Sequence, residues 1–542
     1  MSSTKPFPDT NVVPVRSLLE APVPTRPSPD SSESGSTASS DSEADGRSRA
    51  NSTTVVPLLR RYQRPVDDDG SKSSSDVDVA VVGASLAGAE NDYPEGGIRA
   101  WLVVLGCWLA LFASTGLMNM LAICQPYLGN VNKQAAYQGG IIGGIFVLYV
   151  FVSVALGLYV GPLVDKYGPR WLILSGTVCL VVSAILLSIS TGKSQRWCSL
   201  TCSLILTSLA DYSYILAAFG ILGGLASTLL FTPAIVVVGH FFKVRRGFAI
   251  GIATTAGGIS GIFFPVLLQS LYVKVGFSWA IRTLGIVCLV AAVISNFLIR
   301  SRTIITPASF ADVTADAINP HPGNIIQLFR SNKAYALTTA AVFLLEFALF
   351  IPFTYISAYS LSHGHSHRFS FIVTLVLNAA SVVGHVLPPW CADAKNKRFG
   401  GIGPFNTIMV SCAVSVVAFF VLWLPAGRTP AGIILFVLVF GFASGGAKAL
   451  VPVSVGQLCG TKDYGRYYGI CHALVSTTVP LVGITVAGQI ADVWDRPFWA
   501  LILISGVFLL GALGVFMRAK IEVLGSSSSP GWRWSHGLRG VF

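Results

Sequence analysis

The sequence predicts an all-α membrane protein of twelve transmembrane helices in two pseudo-symmetric six-helix halves, and three observations carry that prediction. The first is composition. Of 542 residues, 53% are hydrophobic and 11% charged, whereas a soluble chain of this length carries about 25% charged residues. The mean hydropathy is +0.66. The second is the length of the apolar runs, which lie near the roughly 20 residues a helix needs to cross a bilayer. The third is an internal echo. Asp393 stands 228 residues after Asp165, and Arg466 stands 220 after Arg246, each in a matching place between runs.

Taken in order, residues 1–97 are a different material from the rest. They hold 9 Lys/Arg and 15 Asp/Glu with Ser-rich stretches such as Ser31 to Ser42. Such a segment cannot bury enough apolar surface to offset its ordering entropy, and it reads as a disordered cytoplasmic tail. The first half, 98–300, places spans at 98–124, 136–160, 171–191, 213–241, 247–272 and 278–300. Residues 301–333, with Pro307, Asp312, Asp316, Pro320 and Pro322, form a central cytoplasmic linker. The second half, 334–518, places spans at 334–361, 369–391, 403–425, 430–455, 467–490 and 498–518, followed by a cytoplasmic tail at 519–542.

Loop charge orients the chain. With both termini inside, fourteen Lys and Arg fall on cytoplasmic connections and seven on the opposite side. That excess is the positive-inside pattern. On that topology the Asn51-Ser52-Thr53 acceptor never meets the glycosylation enzyme. The basic balance, +12 overall, sits in short loops between apolar runs, so its natural partner is the lipid bilayer and not nucleic acid. The ten cysteines are scattered, mostly inside spans where they pack as small hydrophobes. Only Cys198 and Cys202 share a loop, and no disulfide framework is expected. No nucleophile elbow, nucleotide loop or zinc-helix motif occurs, so neither an enzyme nor an ATP-driven pump is indicated. His363-Gly-His365-Ser-His367 is one short alternating cluster, too little for a metal centre. No cofactor is expected.

Between spans two and three, Gly161-Pro-Leu-Val-Asp165-Lys-Tyr-Gly168-Pro-Arg170 resembles the loop signature of the major facilitator superfamily. The bland alternative is a tight charged turn, with an Asp favoured beside a helix start. The resemblance implies the major facilitator fold and a latch at the cytoplasmic face, making Gly161, Asp165, Gly168 and Arg170 gating residues. A narrower resemblance, to the fungal monocarboxylate-porter-like family, rests on four stretches. They are Tyr93-Pro-Glu-Gly-Gly-Ile-Arg-Ala-Trp101, His240-Phe-Phe-Lys-Val-Arg-Arg-Gly-Phe-Ala-Ile-Gly251, Gly257-Gly-Ile-Ser-Gly261 with Pro265, and Asn378-Ala-Ala-Ser-Val-Val-Gly384. Members that carry lactate with a proton have a Lys in span one and an Asp–Arg pair in span eight. Aligned here, those positions hold Asn119, Ser381 and His385. Simple lactate transport is therefore not expected.

Ionisable groups within spans are costly and functional by default. Glu346 sits roughly 18 Å into span seven and Lys448 roughly 12 Å from the cytoplasmic end of span ten. The resemblance implies that spans one, four, seven and ten line the central cavity. One reading has Glu346 carry a proton while Lys448 attracts an anionic substrate group. The other is a structural ion pair closing two helices. Asn119, Ser381 and His385 complete the candidate substrate and proton pathway. His385 and His472, the histidines deep in spans, read as hydrogen-bonded packing or as a relay.

The resulting expectation is a secondary active transporter working by alternating access at the plasma membrane, with a vacuolar or other internal membrane as the alternative. Its partners are a small-molecule substrate, a proton and the bilayer. Loss of the three lactate-type charges and an aromatic content of 11% suit a larger amphipathic ligand, since large pockets are mostly apolar with few polar contacts; efflux of an organic acid or secondary metabolite leads. Proton-coupled import of a carboxylate or a riboflavin-like nutrient is the alternative. A non-transporting sensor using the tail as a signalling arm is a third reading of another class.

Overall fold

The structure is a computed structural model, and it describes residues 96–131, 148–190, 216–275, 277–300, 325–393, 401–426, 429–493 and 497–526. The expectations for the N-terminal tail, the Asn51 acceptor, the Cys198/Cys202 loop and most of the linker lie outside these residues. Helix α1 is Ile98–Val131. Helix α2, Gly157–Tyr167, ends a span that runs from Leu148. Helices α3 (Pro169–Ser190), α4 (Gly224–Phe241), α5 (Arg246–Val275) and α6 (Phe277–Leu298) follow. A short helix α7 (Ile325–Ser331) precedes α8 (Lys333–Ser362) and α9 (His367–Ala392). The last four are α10 (Pro404–Val417), α11 (Pro430–Gln457), α12 (Tyr464–Val493) and α13 (Pro497–Ser526).

Among the described residues, eleven segments are long and apolar enough to cross a membrane. The twelfth expected span, 467–490, falls on α12, whose side chains are described as far as Val479. The chain is an all-helical membrane protein. Two boundaries differ from the sequence reading in ways that matter here. The Gly161–Tyr167 stretch belongs to α2 and is no loop, because Pro162 is tolerated inside a membrane helix whose neighbours satisfy the freed carbonyl. The chain turns only at Gly168, whose φ of 78° suits a residue without Cβ. Helix α13 runs on to Ser526, into the expected tail.

Helix pairings recur in the two sets. In the first, α1 packs on α4, α5 and α6, α3 on α4 and α6, and α2 on α4. In the second, α8 packs on α11, α12 and α13, α10 on α11 and α13, and α9 on α11. Each pairing of the first set thus returns seven labels later. In lipid no hydrophobic force drives such helices together; close packing of small residues and hydrogen bonds between helices do. Two main seams join the sets, α2 against α12 and α5 against α9, with lighter contacts of α5 on α11 and of α4 on α12. Gly161 shows why glycine sits there: a Cβ at that position would strike the Gly465 carbonyl and crowd Gly469. The second set is filled by a stack of Trp423, Phe436 and Phe440, with Trp423 and Phe436 centroids 4.8 Å apart.

Candidate functional site

At the basic end of the bundle the seams close on two carboxylates. Asp165, on the last turn of α2, accepts hydrogen bonds from the backbone N–H of Gly465 at 3.0 Å and of Arg466 at 2.8 Å. Those are first-turn donors of α12, left without partners inside their own helix. Asp393, just past α9, does the same for α5, accepting from Gly247 N–H at 3.0 Å and Phe248 N–H at 2.9 Å. Each carboxylate also meets the positive end of a helix dipole. Each latch ties one set of helices to the other.

Arg246 locks the same end. Its guanidinium donates to the carbonyls of Gly456 at 2.9 Å, Gly239 at 2.8 Å and Phe242 at 3.1 Å, and lies 5.0 Å from the Tyr464 ring. The first of these bonds crosses between the sets. His240 Nε2 lies 3.8 Å from Asp165 Oδ1. Of the four expected gating residues, Gly161 and Asp165 meet at the α2/α12 seam and Gly168 makes the turn behind them. Arg170 stands exposed at the start of α3, away from the latch bonds. Asp393 and Arg246 entered the sequence reading only through the internal echo, and His240 only within a family-like stretch; none of the three was expected as a gating residue. The echoes of Asp165 in Asp393 and of Arg246 in Arg466 were the signals for the first two.

Further into the bundle, Glu346 on α8 lies roughly 20 Å from the basic end and Lys448 on α11 roughly 13 Å. Each lies deep among protein atoms within reach of the other's charge, yet each keeps part of its surface open. Lys448 seats its ammonium over the Phe353 ring, 3.8 Å from the centroid, a contact that holds a desolvated cation. Among the described residues it makes no ion pair with Glu346 within 4.0 Å, so the two charges are neighbours and not a closed bridge.

His385 is buried on α9 within reach of Lys448. Its Nδ1 lies 2.6 Å from the Ser381 carbonyl, which can only accept, so Nδ1 carries the proton. The Ser381 hydroxyl donates to the Asn378 carbonyl at 2.8 Å. Glu346, Lys448, His385 and Ser381 are thus brought into one region of the second set. Asn119 is not among them. Its amide donates to Ser260 Oγ at 3.1 Å, and Ser260 also pairs with Thr115 at 2.9 Å, a tie between α1 and α5.

The sequence model of the Major Facilitator Superfamily matches residues 103–477. The chain belongs to the major facilitator superfamily. A match of this kind places it among transporters and not enzymes. An MFS-type transporter of Ophiocordyceps sp. is 30% identical over 81% of this chain and 88% of its own length. The aspyridones efflux protein of Emericella nidulans is 28% identical over 87% of this chain and 88% of its own. The riboflavin transporter of Saccharomyces cerevisiae is 26% identical, covering 82% and 81%. The fold also matches the human organic anion transporter MFSD10, with a TM-score of 0.58 at 14% identity over 78% of this chain and 100% of that one.

Proposed function

We propose that this major facilitator protein is a proton-coupled transporter of an organic anion, of the fungal monocarboxylate-porter-like type, and that it works as an exporter of an organic acid or secondary metabolite. The observation that carries this reading is the pair Glu346 and Lys448, opposite charges held apart deep between α8 and α11 with open surface on each. A carboxyl in that setting takes up and loses a proton as Lys448 approaches or leaves. A lone ammonium there is a site for an acid group.

In the described conformation the basic end is shut by Asp165, Asp393 and Arg246. On the proposed topology that end is cytoplasmic and both termini lie inside, so the chain is in a state closed to the cytoplasm at the plasma membrane. The gating role of the α2 motif follows: parting the two seams would expose the Glu346–Lys448 region to the cytoplasm. Similarity to an aspyridones efflux protein supports export. Similarity to a riboflavin transporter supports the second reading, import of a larger nutrient.

Small-molecule profiles of cells and medium, with the gene deleted and overexpressed, test direction and cargo together. Export requires a compound that accumulates inside the deletion strain and falls in its medium. A compound left unused outside and depleted inside would make the protein an importer. Identical profiles would refute transport.

A further inference from the structure

Three aromatic rings form a short column across the line where α4 meets α12. The Phe231 ring lies on the His472 imidazole with centroids 5.1 Å apart and planes 17° from parallel. On the other face Tyr468, one turn earlier in α12, lies 5.5 Å away at 7°. His472 Nδ1 is 3.2 Å from Ser476 Oγ, one turn later. The imidazole is half-buried, and its Nε2 takes no hydrogen bond among the described residues. Tyr468 lies within electrostatic reach of Glu346, so the column borders the charged pair.

The partners of His472 are tied differently. Tyr468 and Ser476 stand on its own helix and travel with it. Phe231 stands on the opposite set, so any parting of the sets at this end draws Phe231 away. What is left is an imidazole held flat by Tyr468 and Ser476, with one face bare and its Nε2 edge free. It lies roughly 12 Å from the basic end, one turn beyond Tyr468, which reaches the charge of Glu346. A bare π-face is best covered by another ring, and the Lys448 ammonium by an acid group.

We propose that His472 is a ring-binding subsite of the transport path, where a planar conjugated ring of the cargo takes the place of Phe231. The cargo is accordingly a conjugated or aromatic acid and not an aliphatic one. This rests on the anionic-cargo reading above. Because Tyr468 keeps the imidazole oriented before the cargo arrives, the ring contact costs little ordering entropy.

The test is calorimetric binding of 2-naphthoate and decahydro-2-naphthoate, acids of like size and charge, to the purified full-length protein. The wild type should bind the aromatic acid about tenfold more tightly, the scale of a good ring contact. His472→Leu should bring that ratio to about one, while Lys448→Gln weakens both acids alike and keeps it. Phe231→Ala empties the ring's place and should strengthen naphthoate several-fold with the saturated acid unchanged; it decides the matter if the His472 variant fails to fold. Equal affinities in the wild type, a ratio kept in His472→Leu, or no gain in Phe231→Ala would overturn the ring subsite. If Lys448→Gln still weakens both acids, the anion reading survives that result. Binding of neither acid would overturn both.

Discussion

Replacing Asp165 by Asn should open the basic end, and the size of the effect follows from two hydrogen bonds. The two Asp165 oxygens accept from Gly465 and Arg466 at 3.0 and 2.8 Å. Asparagine keeps one acceptor and turns an amide N–H₂ toward the other donor. One charge-assisted bond is worth about 1.5–3 kcal/mol, and the charge facing the α12 dipole adds to it. A loss of about 2 kcal/mol raises the open fraction about 30-fold. Asp393 holds α5 by the same geometry, and both latches bias one equilibrium, so the double variant should approach about a thousandfold.

Cys459 reports on that opening. It lies buried between α11 and α12, its Sγ 3.5 Å from the Val455 carbonyl, and burial pushes its thiol up to about 12. While the end is shut, the thiol is covered and stays protonated at every working pH. Labelling therefore proceeds only from the open state, where the ordinary thiol gains thiolate about tenfold between pH 7 and 8. In a protein whose other cysteines are replaced, maleimide labelling of Cys459 should speed up about 30-fold in Asp165→Asn. The same rate in Asp165→Asn, Asp393→Asn and the double variant would refute the latch.

Three further outcomes are expected. Arg246→Lys replaces a fork that serves three carbonyls by a single ammonium; thermal melting in detergent should fall by several degrees, about 2 kcal/mol of lost bonding. Gly161→Val forces a side chain against the Gly465 backbone, so Cys459 should label faster than in the wild type even with Asp165 intact. Asn119→Ala removes one bond between α1 and α5. Bonds of that kind average about 0.6 kcal/mol in membrane bundles, so transport assays should show near-normal rates.

Sequence and structure agree where the physics is one-dimensional. A run of about 20 apolar residues can only satisfy its backbone in lipid as a helix, so the spans were legible from Ile98 onward. The helix ends were not. Gly161 to Tyr167, with Pro162, read as a connection between spans, yet it lies inside α2, since membrane helices tolerate proline where neighbours can satisfy the freed backbone. Helix faces were harder still. A soluble helix shows its inner face as an apolar stripe; here both faces are apolar, and no period distinguishes Phe231 or Asn119 by direction. The latches join residues 300 and 146 apart in sequence. Glu346 and Lys448 were found because a charge in lipid is conspicuous, whereas Arg246, visible in the internal echo, gave no sign that it would be buried on three carbonyls.

The central claim is that Glu346 moves a proton and Lys448 holds the anion. The most direct measurement is cargo uptake into proteoliposomes under an imposed pH gradient, using the compound identified from the deletion strain. The wild type should concentrate it when the gradient is present. Glu346→Gln should lose that drive and its pH dependence while still exchanging cargo for cargo, and Lys448→Gln should lose both activities. Gradient-driven accumulation by Glu346→Gln with the wild-type pH profile would contradict the account.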